Sequence, residues 1–122
     1  MTLLFVCIGA ALGAPARYLT DRAIQARHDT VFPWGTFTVN VAGSLVLGLL
    51  TGAAAHHAVP PELVAAVGTG FCGALTTYST FGYETIRLTQ DGARLFAVLN
   101  VVASLAAGFG AATLGYVAGL AV

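Results

Sequence analysis

Three stretches of the chain run without a single Asp, Glu, Lys or Arg: Trp34 to Ala55, Leu63 to Tyr83 and Leu95 to Val122. Each is longer than the roughly 20 apolar residues that a helix needs to cross the hydrocarbon core of a bilayer. The first stretch, Thr2 to Ala16, is shorter, but carried on through Tyr18, Leu19 and Thr20 it also reaches about 20 residues, near the required 30 Å. The pattern predicts one domain, 1–122, of four transmembrane helices over 3–22, 34–55, 63–86 and 95–120. The connections between them are short, Asp21 to Pro33, His56 to Glu62 and Arg87 to Arg94. Small residues recur at four-residue spacing, Gly9 with Gly13, Ser44 with Gly48 and Gly52, and Gly115 with Gly119, which is the spacing that lets membrane helices approach closely. Four thin helices packed together leave only space filled by side chains, so a pore calls for oligomerisation.

The third span departs from the others. Gly68-Thr69-Gly70-Phe71-Cys72-Gly73 and Thr76-Thr77-Tyr78-Ser79-Thr80 set glycines and hydroxyls across its middle, where a continuous helix is disfavoured. Interrupted helix is tolerated in lipid only where it is buried in protein or lines a cavity, and its freed backbone groups are then open to ions. Two half-helices broken near Gly73 to Thr77 are expected; the alternative is a plain helix with its hydroxyls bonded back to the preceding turn.

Composition agrees with lipid as the solvent: 57% of residues are hydrophobic and 8% charged, against about one quarter charged in a soluble domain. Net charge is zero and the five basic residues are arginines scattered near helix ends, so nothing tracks a nucleic-acid backbone. Cys7 and Cys72 lie in apolar segments with no ligand-like spacing, which favours small buried hydrophobes over a zinc site or a disulfide. Ala14-Pro15-Ala16 ends the first apolar run in small residues as a signal peptide would, but the basic n-region is missing, so this segment reads as a retained helix.

Polar residues inside the spans are the candidate chemistry. Thr36, Asn40 and Ser44 share one face of the second span, and Asn100, Ser104 and Gly108 one face of the fourth. Such stripes serve either as interhelical glue, about 0.6 kcal/mol per bond, or as an ion path in which the Asn40 amide donates to an anion. Tyr78, Phe81 and Glu84 are three apart and share a face. Aromatic rings carry partial positive charge at their edges, so two of them can coordinate a small anion without a trapping cation, or they are ordinary packing contacts. Glu84 and Arg87 at i and i+3 are also placed to pair at a helix end.

Three segments carry a family resemblance: Gly13-Ala14-Pro15-Ala16-Arg17-Tyr18, then Trp34-Gly35-Thr36-Phe37-Thr38-Val39-Asn40-Val41-Ala42-Gly43-Ser44, then Gly70-Phe71-Cys72-Gly73-Ala74-Leu75-Thr76-Thr77-Tyr78-Ser79-Thr80-Phe81-Gly82-Tyr83-Glu84. In order and spacing they resemble the CrcB or Fluc family of fluoride channels, and the likeness spans the whole chain. The resemblance implies an all-α, multi-pass protein of the cell membrane. It further implies four helices, the third broken, assembled as an antiparallel (inverted) dimer with two pores around a structural sodium ion (Na+). It makes Asn40 a pore donor and Tyr78 with Phe81 the rings that face fluoride. Ser79 and Thr80 become the hydroxyl track beside the rings, Ser104 the pore serine of the fourth helix, and Thr36 with Glu84 one polar mouth. Gly73 and Thr76 match the positions whose backbone carbonyls hold sodium, and Arg17 matches the arginine of the first helix, in a structural or electrostatic role. Two positions depart from the family: Tyr78 stands where Phe is common, and Asn100 where Tyr often occurs.

The main rival is a small dual-topology multidrug exporter, which needs a carboxylate in the membrane, usually in the first helix; none is present there. A non-transporting small membrane assembly protein is the third reading, and the polar stripes count against it. No set of nucleophile and base suggests an enzyme. Arg17, Arg22, Arg27, Arg87 and Arg94 all fall near loops on one side, and the opposite side has no Lys or Arg. Arginine distribution sets orientation, so one preferred insertion with both termini outside is expected. The partner is then either a second copy or an oppositely oriented homologue.

Overall fold

The computed structural model covers residues Met1–Val122 and is entirely helical. Helix α1 (Thr2–Arg27) passes through Pro15 and continues well beyond the expected end near 22, with a polar last stretch closed by the His28 ring nitrogen Nδ1 at 2.9 Å from the Ile24 carbonyl. A short link packs Phe32 under Trp34, ring centroids 4.6 Å apart, and leads into α2 (Trp34–His56). The chain then forms a continuous helical run over 61–75: α3 (Pro61–Leu63), a π-helical stretch Val64–Cys72, and α4 (Gly73–Leu75). It leaves the helix at Thr76, whose ψ of 157° is extended, and resumes in α5 (Ser79–Gln90). A tight turn with Gly92 at φ 82° delivers the chain to α6 (Arg94–Ala121). Helices α1, α2 and α6 are each long and apolar enough to cross a membrane.

The core is built from glycine. A Cβ on Gly48 or Gly52 would run into the backbone carbonyls of Ala112 and Tyr116, and one on Gly115 or Gly119 into those of Leu45 and Leu49. These reciprocal contacts bring the backbones of α2 and α6 together. Large side chains point the other way: Leu12, Leu19, Leu105, Phe109 and Leu114 are all exposed on the outside. That inversion follows from lipid being as apolar as leucine, so helices associate through close van der Waals packing rather than by hiding large residues. The small-residue pairs named from the sequence therefore close contacts within one chain.

The same physics corrects the reading of the glycines in the third segment. Gly70 lies against the Val6 carbonyl and Gly9, and Gly13 against the Phe71 carbonyl. Gly68 and Gly70 stay helical in the wider π form, where Gly70 seats the run on α1 and Gly68 faces Leu47 and Leu50 of α2. The interruption falls at the hydroxyl end of the expected window, over Thr76 to Tyr78.

The glycine core predicts an asymmetry between two substitutions. Gly52→Val has no room against the Tyr116 backbone and should cost about 1–3 kcal/mol, read as a lower midpoint of thermal unfolding in detergent. Gly110→Ala, with nothing within 4 Å of its Cβ, should leave that midpoint unchanged or raise it.

Candidate functional site

Asn40 holds the interruption in place. From the middle of α2 its Oδ1 accepts the Thr77 backbone N–H at 2.8 Å, and its Nδ2 donates to the Thr77 carbonyl at 3.0 Å. One side-chain amide thus satisfies both backbone groups of a residue outside any helix. Thr77 N–H is the group that a continued helix would have aimed at the Gly73 carbonyl, so that carbonyl is released. On either side the threonines finish the two helix ends. The Thr76 hydroxyl donates to the Cys72 carbonyl at 2.8 Å, and the Thr77 hydroxyl accepts the Thr80 N–H at 3.2 Å, as a capping side chain does at a helix start. An amide has two N–H donors, so Asn40 retains one beyond the Thr77 bond.

Asn40 also lines a groove of about 400 Å³, whose walls include Ser44, Gly73, Thr76, Tyr78, Phe81 and Ser104. The Tyr78 and Phe81 rings stand 6.1 Å apart, tilted by 46°. Tyr78 is 86% exposed, so the groove opens sideways off the chain. Two wall hydroxyls already use their protons: Ser44 donates to the Asn40 carbonyl at 2.7 Å, and Ser104 to Asn100 Oδ1 at 3.3 Å. Asn40, Tyr78, Phe81, Ser104, Gly73 and Thr76 are therefore brought together around one space.

A second group forms at the end of the bundle that holds the arginines. Thr36 donates to Glu84 at 2.5 Å. This bond lies between a recess of about 280 Å³ lined by Gln25, Glu84, Arg87 and Asp91 and one of about 190 Å³ lined by Arg17, Asp21, Thr36 and Thr80. Arg87 turns to Asp91, Nε to Oδ2 3.8 Å, instead of pairing with Glu84. Arg17 Nη1 points at the Thr76 carbonyl from 3.5 Å, which places a fixed positive charge beside the interruption. Asp21 lies within α1 and corrects the expectation of a first helix without a carboxylate; its Oδ1 is buried with no hydrogen-bond partner, pressed against Gly35, where a Cβ would not fit. Ser79 and Thr80 are split: Ser79 reaches only the Thr77 hydroxyl at 3.4 Å, and Thr80 joins the Arg17 recess.

Sequence reasoning passed over Thr77, the residue Asn40 grips, and Thr85, which takes the Asn100 amide at 2.9 Å. The signal for Thr77 was the hydroxyl run itself, in which one residue had to surrender its backbone bonds. Thr85 carried no signal beyond lying on the same face as Phe81.

Residues 4–116 match the family described as CrcB-like protein, Camphor Resistance (CrcB). The chain is 64% identical over 120 residues to a protein of Frankia casuarinae named fluoride-specific ion channel FluC 1, covering 94% of this chain and 93% of that one. It is 62% identical over 115 residues to the protein of the same name from Streptomyces avermitilis, again covering 94% and 93%. A protein of Acidobacterium capsulatum named fluoride-specific ion channel FluC is 48% identical over 120 residues, covering 98% and 96%. With the family match running almost end to end and relatives this similar over nearly their full length, the chain belongs to the CrcB-like family.

Proposed function

We propose that this chain is a passive, fluoride-selective channel of the cell membrane that lets cytoplasmic fluoride run down its gradient. The observation that carries the reading is its 64% identity, over 94% of its length, to a fluoride-specific ion channel. The groove supplies chemistry of the right strength. A selective path must replace the strongly held water of fluoride and still release the ion, and an amide N–H with two ring edges does so without a full charge in contact. The Arg17 guanidinium stands off from these donors, at the Thr76 carbonyl. Hydrogen fluoride is a weak acid that crosses lipid neutral and dissociates inside, so a passive leak of the anion suffices to clear it.

In this reading the 61–75 run and α5 together make the third of four crossings, broken between them. Two chains in antiparallel arrangement close the sideways-open groove of each into two pores; with one preferred insertion the second chain is an oppositely inserted homologue, and it is a copy of this one only if the chain inserts both ways. A sodium ion sits at the centre, held by the Gly73 and Thr76 carbonyls. Of the two, the Gly73 carbonyl has lost its helical partner to Asn40 and suits a hard cation, whereas the Thr76 carbonyl faces the Arg17 guanidinium at 3.5 Å and holds sodium only by giving up that contact. Sodium there would supply positive charge at the join between subunits.

Four outcomes are expected. Phe81→Ile removes a ring edge while keeping an apolar wall, and should lower fluoride efflux from liposomes by at least about tenfold, the factor that 1.4 kcal/mol of barrier represents, with unchanged elution in size-exclusion chromatography. Asn40→Asp keeps the acceptor for Thr77 N–H but sets a carboxylate oxygen against the Thr77 carbonyl, so it should lose efflux and also thermal stability. Wild-type efflux in both variants would refute the pore assignment. For the cation, exchanging sodium for a bulky organic cation should weaken the dimer, because an ion that binds only the assembled form stabilises it; equal dimer stability in both salts would refute the sodium site. For orientation, with Cys7 and Cys72 replaced, single cysteines at Ala58 and Val122 should both be labelled from outside intact cells. Labelling of each from both faces would refute a single orientation.

A further inference from the structure

Asn100 is the most deeply buried polar side chain, 1% exposed, and it does not line the groove. It sits in the seam between α5 and α6 at the centre of a directed chain of hydrogen bonds. Ser104 Oγ donates to Asn100 Oδ1 at 3.3 Å, Asn100 Nδ2 donates to Thr85 Oγ1 at 2.9 Å, and Thr85 Oγ1 donates to the Phe81 carbonyl at 2.8 Å. Each proton is passed in one sense, from a hydroxyl on the groove wall to the backbone of the residue whose ring forms the opposite wall. We infer that Asn100 is a positioning residue, which sets the Ser104 hydroxyl and the turn of α5 bearing Phe81 as one unit. The inference rests on the fluoride reading and extends it to a residue that never touches the ion.

The consequence for an anion follows from where the Ser104 proton points. Turned toward Asn100, the hydroxyl offers lone pairs to the groove, so an arriving anion gains a donor only by drawing that proton round. Doing so strips Asn100 Oδ1 of its partner in a buried seam, where an unpaired polar group is disfavoured. Ser104 is therefore a reversible donor, weakened by the acceptor behind it, and its distance from the Phe81 ring is fixed by the same chain of bonds. Buried networks of this kind act as a whole rather than as separate pairs.

The test is a double-mutant cycle read as fluoride efflux from liposomes. Asn100→Leu, similar in size and unable to hydrogen-bond, should lower the rate about tenfold, and in a Ser104→Ala background the same change should lower it by less than about twofold, because coupled residues are non-additive. Thr85→Val cuts the chain of bonds from the other helix and should show the same dependence on Ser104; it also serves if Asn100→Leu does not fold. A merely structural role would lower the rate by the same factor in both backgrounds, and that result, or wild-type efflux in both single variants, overturns the inference alone. A wild-type chain that passes chloride as readily as fluoride, or neither, overturns the functional reading and the inference with it.

Discussion

The bond between Asn40 and the Thr77 backbone is the contact on which the site depends. Away from water, an unpaired N–H or carbonyl costs several kcal/mol, so a chain can leave the helix within a bilayer only if something else answers its backbone. Asn40 answers both groups of Thr77 with one neutral side chain. That frees the Gly73 carbonyl, turns the chain so that α5 starts at Ser79, and brings Tyr78 and Phe81 to the same groove as Asn40 itself. A charged residue could hold the same backbone only by placing a full charge beside the groove.

Around that contact the bundle is turned inside out relative to a soluble protein. Backbone touches backbone at Gly48, Gly52, Gly115 and Gly119, while Leu12, Leu19, Leu105 and Leu114 face outward. Close approach of α2 and α6 has a functional side, because it fixes the floor of the groove through Ser44 and Ser104, one from each helix. The close contact of α2 and α6 and the joining of their two serines at one groove thus have one origin in small residues.

Much of this was legible in the sequence, for identifiable reasons. Uncharged runs revealed the long helices because lipid forbids charge, and the four-residue glycine spacing revealed the α2 and α6 contact because that repeat returns to one face of a helix. The glycines of the 61–75 run were harder, since glycine both loosens a helix and lets another helix approach, and only the position of α1 decides between the two. Glu84 shows a similar ambiguity: its neighbour in sequence, Arg87, is a plausible partner, but the carboxylate is taken by Thr36, distant along the chain. Single-chain patterning records which residues share a face and not what that face meets. For Asn100, even the family resemblance gave no guide, because the role it plays is set by Thr85 and Ser104 in this chain.

The π-helical stretch Val64–Cys72 bears on how such a protein can change over time. A π turn holds one more residue than an α turn for the same kind of backbone bond, so losing a residue there can return the stretch to α geometry without leaving a gap in the bonding. An α turn in the place of a π turn completes nearly the same rotation with one residue fewer, so Thr77 stays near Asn40, and Tyr78 and Phe81 keep their side of the bundle. The stretch 64–72 can thus absorb a deletion of one codon that in α2 or α6 would turn every later residue by about 100°.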